Sequence, residues 1–93
     1  MDDRRSEALF ASLVLTLHTA AMQHLGKIKN PATDAIERNL EQAQMVIDIL
    51  DMLLSKTRGN LGTEESALLS RTLQELKLNY VDEVAKDQGK APS

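Results

Sequence analysis

Leu40, Ala43, Ile47, Leu50 and Leu54 recur at intervals of three and four, the helical period, so they share one face of a helix. Val46, Ile49 and Leu53 widen that stripe on one side. Gln44, Asp48, Asp51 and Ser55 repeat on the opposite side as a hydrated face. Asn39, just before the stripe, is a good N-cap, because its side-chain oxygen accepts from first-turn amides that have no partner inside the helix. Gln42 stands where a capping-box partner reaches back. Lys56 and Arg58 place cations at the negative end of the helix dipole, and Gly59 suits the left-handed C′ position. The stretch Asn39–Asn60 therefore predicts a helix with a start, a stripe and a stop, and the rest of the chain is organised around it.

Ahead of it the pattern predicts a helix over about Glu7–Leu25, capped by Ser6 or Asp3 and ended by Gly26. Its main stripe is Phe10, Leu13, Val14, Leu17, Ala21 and Leu25, and a second row, Ala8, Ala11, Leu15 and Met22, runs beside it. No residue from Ala8 to Gly26 is charged, and only Ser12, Thr16, Thr19 and Gln23 form a polar strip. One neighbour cannot cover so much apolar circumference. In the connector Lys27–Arg38, Asn30-Pro31 marks a turn or a helix start. Ile36 lies four residues before Leu40, so residues 33–38 either form a separate turn or continue the central helix. The apolar period favours continuation; the Asn39 cap favours a break.

Beyond the second connector, Thr63 is read as the cap of a third helix, with Glu64 and Glu65 in the first turn where the dipole favours anions. Leu61 is placed to staple onto Ala67 or Leu68. The third stripe is Leu69, Leu73, Leu76, Tyr80 and Val84, with a minor row of Leu78, Val81 and Ala85. Arg71–Glu75 and Asp82–Lys86 have the spacing of i,i+4 ion pairs. Residues 1–5 read as a frayed start, 6–86 as one helical domain and 87–93 as a polar, disordered tail. Short connectors favour antiparallel neighbours. The fold class is all-α: a three-helix antiparallel bundle or a helical hairpin, completed by oligomerisation.

Size and composition sharpen this. A chain of 93 residues buries only roughly 60–65% of its unfolded surface, which leaves a lone monomer marginal. With no cysteine, the chain has no disulfide and no thiolate metal site, and a small domain without such staples points to a reducing cytoplasm. The net charge of −3, with scattered lysines and arginines, gives no basic stripe for nucleic acid. Phe10 and Tyr80 are the only aromatics, too few for a stacking platform. The start, MDDRRSEA, lacks the order of a secretory signal. The uncharged run of the first helix approaches the roughly 20 residues of a membrane span. Six of its positions are Ser, Thr, His or Gln, costly to desolvate, so a soluble helix buried on several sides is the better reading.

Candidate chemistry is sparse. His18 and His24 are six residues apart and cannot chelate together; His18, beside the Leu15–Met22 row, reads as a packed or interface residue, with a pH-sensitive contact and then a metal role as the lesser alternatives. Asp48 and Asp51 share the hydrated face with no histidine or nucleophile nearby, and read as a solvated face, with a contact to Arg71 or Lys77 across an interface as the second reading. The Gly59-Asn60-Leu61-Gly62 turn lacks the phosphate-loop pattern and follows a helix rather than a strand; Lys56, Arg58 and Asn60 offer at most a weak anion contact. No catalytic, cofactor-binding or metal-binding residues are expected, and no enzyme activity. Each helix instead carries an additional apolar row, which points to self-association, with Leu15, His18, Met22, Met45, Met52, Leu78 and Val81 as interface candidates. The expected function is a non-enzymatic helical interaction protein whose partner is itself, as a homodimer or higher oligomer, or another protein. The alternatives are a membrane-associated small subunit using helix 7–25, or a metal- or ligand-dependent regulator.

The runs FASLVLTLHTAAMQHLGKI, NP, NLEQAQMVIDILDMLLSKTRGNL and TEESALLSRTLQELKLNYV resemble a small bacterial family known only as domain of unknown function number eighteen-forty-four. The resemblance spans Phe10 to about Val84. Its most specific parts are Asn39-Leu40, Ile47-Asp48, the turn Lys56-Thr57-x-Gly59-Asn60-Leu61, and Tyr80-Val81. It implies a short, all-helical, cytoplasmic bacterial protein and carries over no catalytic residues. The family pattern tends to have glycine in the connector near Asp34, a departure that bears on the local turn.

Overall fold

The computed structural model describes residues 1–89, in which α1 spans Asp3–His24, α2 Leu40–Lys56 and α3 Thr63–Asp87. Each helix packs against both others, so the fold is a three-helix bundle and not a hairpin. His18 of α1 meets Glu75 of α3, and Lys27 just after α1 meets Glu83 further along α3. Positions on α1 and α3 thus advance together, and these helices run parallel. Arg38, ahead of α2, also reaches Glu83, whereas Asp51 near the end of α2 reaches back to Lys77. Helix α2 therefore runs against both neighbours.

The predicted stripes make the core. Val14, Ala21 and Leu25 from α1 and its end, Ala43, Val46, Ile47 and Leu50 from α2, and Leu69, Leu73 and Leu76 from α3 are all buried. Phe10, Leu17, Leu40, Leu53, Leu54, Leu61, Leu68 and Tyr80 close over them as half-buried neighbours. Two stripe positions are corrections. Leu13 is 45% exposed and Ile49 37% exposed; both lie at the margin of their stripes, turned from the buried face of their helices.

The helix ends also depart from expectation. Helix α1 begins at Asp3, ahead of the expected Glu7, because Asp2 supplies the cap: its carboxylate accepts from Arg5 N at 2.8 Å. Neither Ser6 nor Asp3 is the cap, and the start of the chain is helical from Asp3 onward. At the other end of α1, Gly26 has φ +78°, and Lys27 N donates to Met22 O at 2.9 Å. That six-to-one bond marks a Schellman stop. A Cβ on Gly26 would lie 3.2 Å from Arg38 Cβ, so glycine here serves both the turn and the passage of the Arg38 stem.

Asn39 caps α2 as expected, accepting from Gln42 N at 3.1 Å. The capping box with the Gln42 side chain does not form; Asn39 N donates instead to His24 O at 2.8 Å, tying the start of α2 to the end of α1. Residues 33–38 therefore break from α2 and do not extend it. Gly59 is left-handed at φ +87°, one position further out than expected because Thr57 is the C-cap. Gly62, not Thr63, is the N-cap of α3, and Glu65 accepts from its amide at 2.8 Å. Neither expected i,i+4 ion pair forms, since Glu75 turns to His18 and Lys86 to Glu83. Asp87 ends α3 and carries an ion pair, so it is not part of a tail; residues 90–93 of the expected tail lie outside the described residues.

The long connector is built on Asn30. Its side-chain oxygen accepts from Ala32 N, its side-chain amide donates to Glu37, and its backbone amide donates to Ala35 O, each at 2.9 Å. The loop closes through Asp34, the one non-glycine residue with positive φ among the described residues, at +54°. This is the neighbourhood in which the resemblance implies a glycine. Left-handed backbone is costly for a residue with a Cβ, less so for aspartate. The Asp34 side chain contributes only an exposed pair with Lys29 at 3.9 Å. Asp34→Gly is accordingly expected to raise stability by about 0.5 kcal/mol, read as a rise in Tm of a few degrees by circular dichroism, with no loss of helicity.

Candidate functional site

The most structured polar feature lies where the α1–α2 connector crosses the end of α3. Glu83 is 5% exposed. Its Oε2 accepts from Lys27 Nζ at 2.7 Å and Lys86 Nζ at 2.8 Å, and its Oε1 accepts from Arg38 Nη1 at 2.9 Å. Arg38 Nη2 also pairs with Asp87. Hydrogen bonds from Lys27 first, then Lys86 and Arg38, hold the Glu83 carboxyl down at about 2 against the opposing effect of burial. A carboxylate so firmly ionised neither gives nor takes a proton near neutrality. It is a pin: three cations from the connector and α3 converge on one buried charge and fix the connector to the bundle.

Glu83 was not singled out from the sequence, yet the signal is present there. It falls seven residues after Leu76 and fourteen after Leu69, on the buried row of α3. A charge on an apolar row calls for partners, and the connector supplies them.

The other expected sites fall as follows. His18 Nε2 lies 3.3 Å from Glu75 Oε1, an α1–α3 contact within the chain; His24 is half-buried without a metal partner. Among the described residues no three His, Asp or Glu side chains gather as a metal site would need. Asp51 meets Lys77 at 3.8 Å, one of the two expected cations, but between α2 and α3 of one chain. Asp48 accepts from Gln44 Nε2 at 2.8 Å on the hydrated face. No helix among the described residues is long and apolar enough to cross a membrane.

The interface candidates divide. Leu15, Met45, Met52, Leu78 and Val81 are 48–64% exposed. Met22 is packed against the core, so the row it shares with Leu15 is only half free. Leu78 and Val81 line a shallow groove with Leu54, Leu73 and the Asp51–Lys77 pair between α2 and α3. Leu15 stands apart from them on α1. Met45 and Met52 lie on the side of α2 turned away from Ala43, Ile47 and Leu50. The seven candidates therefore do not merge into one patch.

Sequence reasoning missed Leu9 and Leu13 on α1 and Ile49 on α2, all more than a third exposed. Helical phase locates them. His18 faces α3, and Leu9 and Leu13 lie on the opposite flank of α1, beside α2. Asp51 faces α3, and Ile49 lies on the opposite flank of α2, beside α1. Leu9 and Leu13 on α1 and Ile49, Met45 and Met52 on α2 thus give the outer side of these two helices an exposed apolar character. Helix α1 carries no charge from Ala8 to Leu25, although Ala8, Leu9, Ala11, Ser12, Leu13, Leu15 and Thr16, spread around its outer side, are all exposed or partly so.

No curated protein and no solved structure matches the chain. A family model does, over residues 7–82, which take in α1 from Glu7, the whole of α2 and α3 as far as Asp82. The chain belongs to the family described as Domain of unknown function (DUF1844).

Proposed function

We propose that the protein is a non-enzymatic helical interaction module that associates with copies of itself, a homodimer foremost, in a reducing cytoplasm. The observation that carries this reading is the exposed apolar character of the outer side of α1 and α2. Monomeric proteins scatter single apolar residues over their surfaces, whereas several gathered on one side mark an interaction site. Leu9, Leu13, Met45, Ile49 and Met52 are each 37–56% exposed on that side, and the run of α1 from Ala8 to Leu25 adds no charged side chain. Methionines at such a surface adapt to a partner's shape. The polar clusters offer no competing chemistry: Glu83 is fully engaged, and Asp48, Asp51 and His18 each have a partner within the chain. Light scattering at micromolar concentration tests the reading. A mass at least twice that of the 10.3 kDa chain is expected; a monomer that melts cooperatively would overturn it.

A further inference from the structure

The outer row of α2 runs Glu41, Met45, Ile49, Met52 and Lys56, in steps of four, four, three and four. That spacing keeps one line along a helix. All five residues are exposed. The row begins with an anion and ends with a cation about 22 Å away. Among the described residues neither Glu41 nor Lys56 has an ion-pair partner in its own chain, whereas seven ion pairs form elsewhere.

The row is its own complement when reversed. Laid against an antiparallel copy, Glu41 falls opposite Lys56 of that copy, Met45 opposite Met52, and Ile49 opposite Asp48, so that the twofold axis passes between residues 48 and 49. A parallel copy would instead stack like charge on like charge at both ends. A twofold axis makes such an interface isologous, with every contact formed twice. Leu13, on the flank of α1 next to α2, extends the apolar centre. Asp48 lies on the edge of the row towards α3 and is exposed, and its carboxylate accepts from Gln44 Nε2 rather than standing without a partner beside the axis.

We infer that the partner covering this face is a second copy of the chain, docked antiparallel through the Glu41–Lys56 row of α2, with Glu41 of each copy against Lys56 of the other. This rests on the reading of the protein as self-associating and adds the face, the direction and the charge pairs.

Charge reversal tests it. Glu41→Lys places lysine against Lys56 twice per dimer, and Lys56→Glu places glutamate against Glu41 twice. Each alone is expected to weaken dimerisation about tenfold, because two modest attractions turn into two repulsions. Mixing the two variants restores both opposite-charge pairs in the heterodimer, so the mixture is expected to associate as tightly as the native chain. Both positions also lie at helix ends where the native charge suits the dipole, but an effect on helix stability persists in the mixture, and only an attraction between copies is rescued by mixing. Sedimentation velocity separates the outcomes. A native dimer unaffected by either reversal would overturn the assignment of this face and leave self-association standing. Weakening without rescue would overturn the antiparallel charge pairing. A monomeric native chain would overturn both readings.

Discussion

Leu50→Ala is expected to cost about 3–4 kcal/mol of folding stability. Leu50 is fully buried at the centre of α2, the helix that packs antiparallel to both others. Truncation there removes packing against α1 and α3 together. The gap opens inside the packed cluster to which Leu50 belongs, with Val14, Val46, Ile47, Leu69, Leu73 and Leu76, and closes only in part. For a domain this small, each kcal/mol shifts Tm by roughly 4–8 °C, so a fall on the order of 15–25 °C in thermal melts is expected. The exposed Ile49→Ala, one residue away, is the control, and is expected to shift the monomer's melting by far less. A Leu50→Ala protein that melts within a few degrees of the native chain would show that the core is not centred on α2.

Glu83→Gln is expected to cost about 2–3 kcal/mol, below the 3–5 kcal/mol of a fully buried pair that loses one partner. The substitution keeps the shape and removes the charge that Lys27, Lys86 and Arg38 share. Those cations are a quarter to a half exposed, so they regain water, which is why the cost stays below the upper range. The same pin sets a pH dependence. The Glu83 carboxyl is lowered from its ordinary 4.5 to about 2 on folding. The unfolded chain therefore binds the proton more readily, and the stabilisation is complete above about 4.5, declining as pH falls through about 2. Denaturant melts of the native chain are expected to lose stability progressively in that window, and those of Glu83→Gln to lose less. Parallel pH profiles for the two proteins would remove Glu83 from the acid response.

The stripes of all three helices were legible because burial on one face leaves the helical period in the sequence. Leu69, Leu73 and Leu76, or Ala43, Ile47 and Leu50, need no tertiary information to be assigned inward. The boundaries were less legible because caps compete locally. Asp2 and Ser6 are both chemically able to cap α1, and only the backbone path selects Asp2. Gln42 lost its expected partner to His24 O, a bond between segments fifteen residues apart that no local pattern encodes. The Glu83 pin was half legible: its place on the buried row is in the sequence, but the identity of Lys27 and Arg38 as partners depends on where the long connector crosses α3. The margins of the stripes were misread for the same reason. Leu13 and Ile49 lie at the edges of their stripes, on the flanks of α1 and α2 where burial ends, and period alone does not say how far round the helix burial reaches. That misreading matters, because those two residues stand with the methionine row of α2 on the outer side of the two helices.

Whether a second copy covers that outer face decides the function proposed for the protein. Sedimentation equilibrium of the native chain at several micromolar concentrations, beside Met52→Glu, measures this most directly. The native chain is expected at twice the 10.3 kDa chain mass, and Met52→Glu, with unchanged helicity, at the mass of a single chain. A native chain that sediments as a single 10.3 kDa species throughout would contradict self-association through this face.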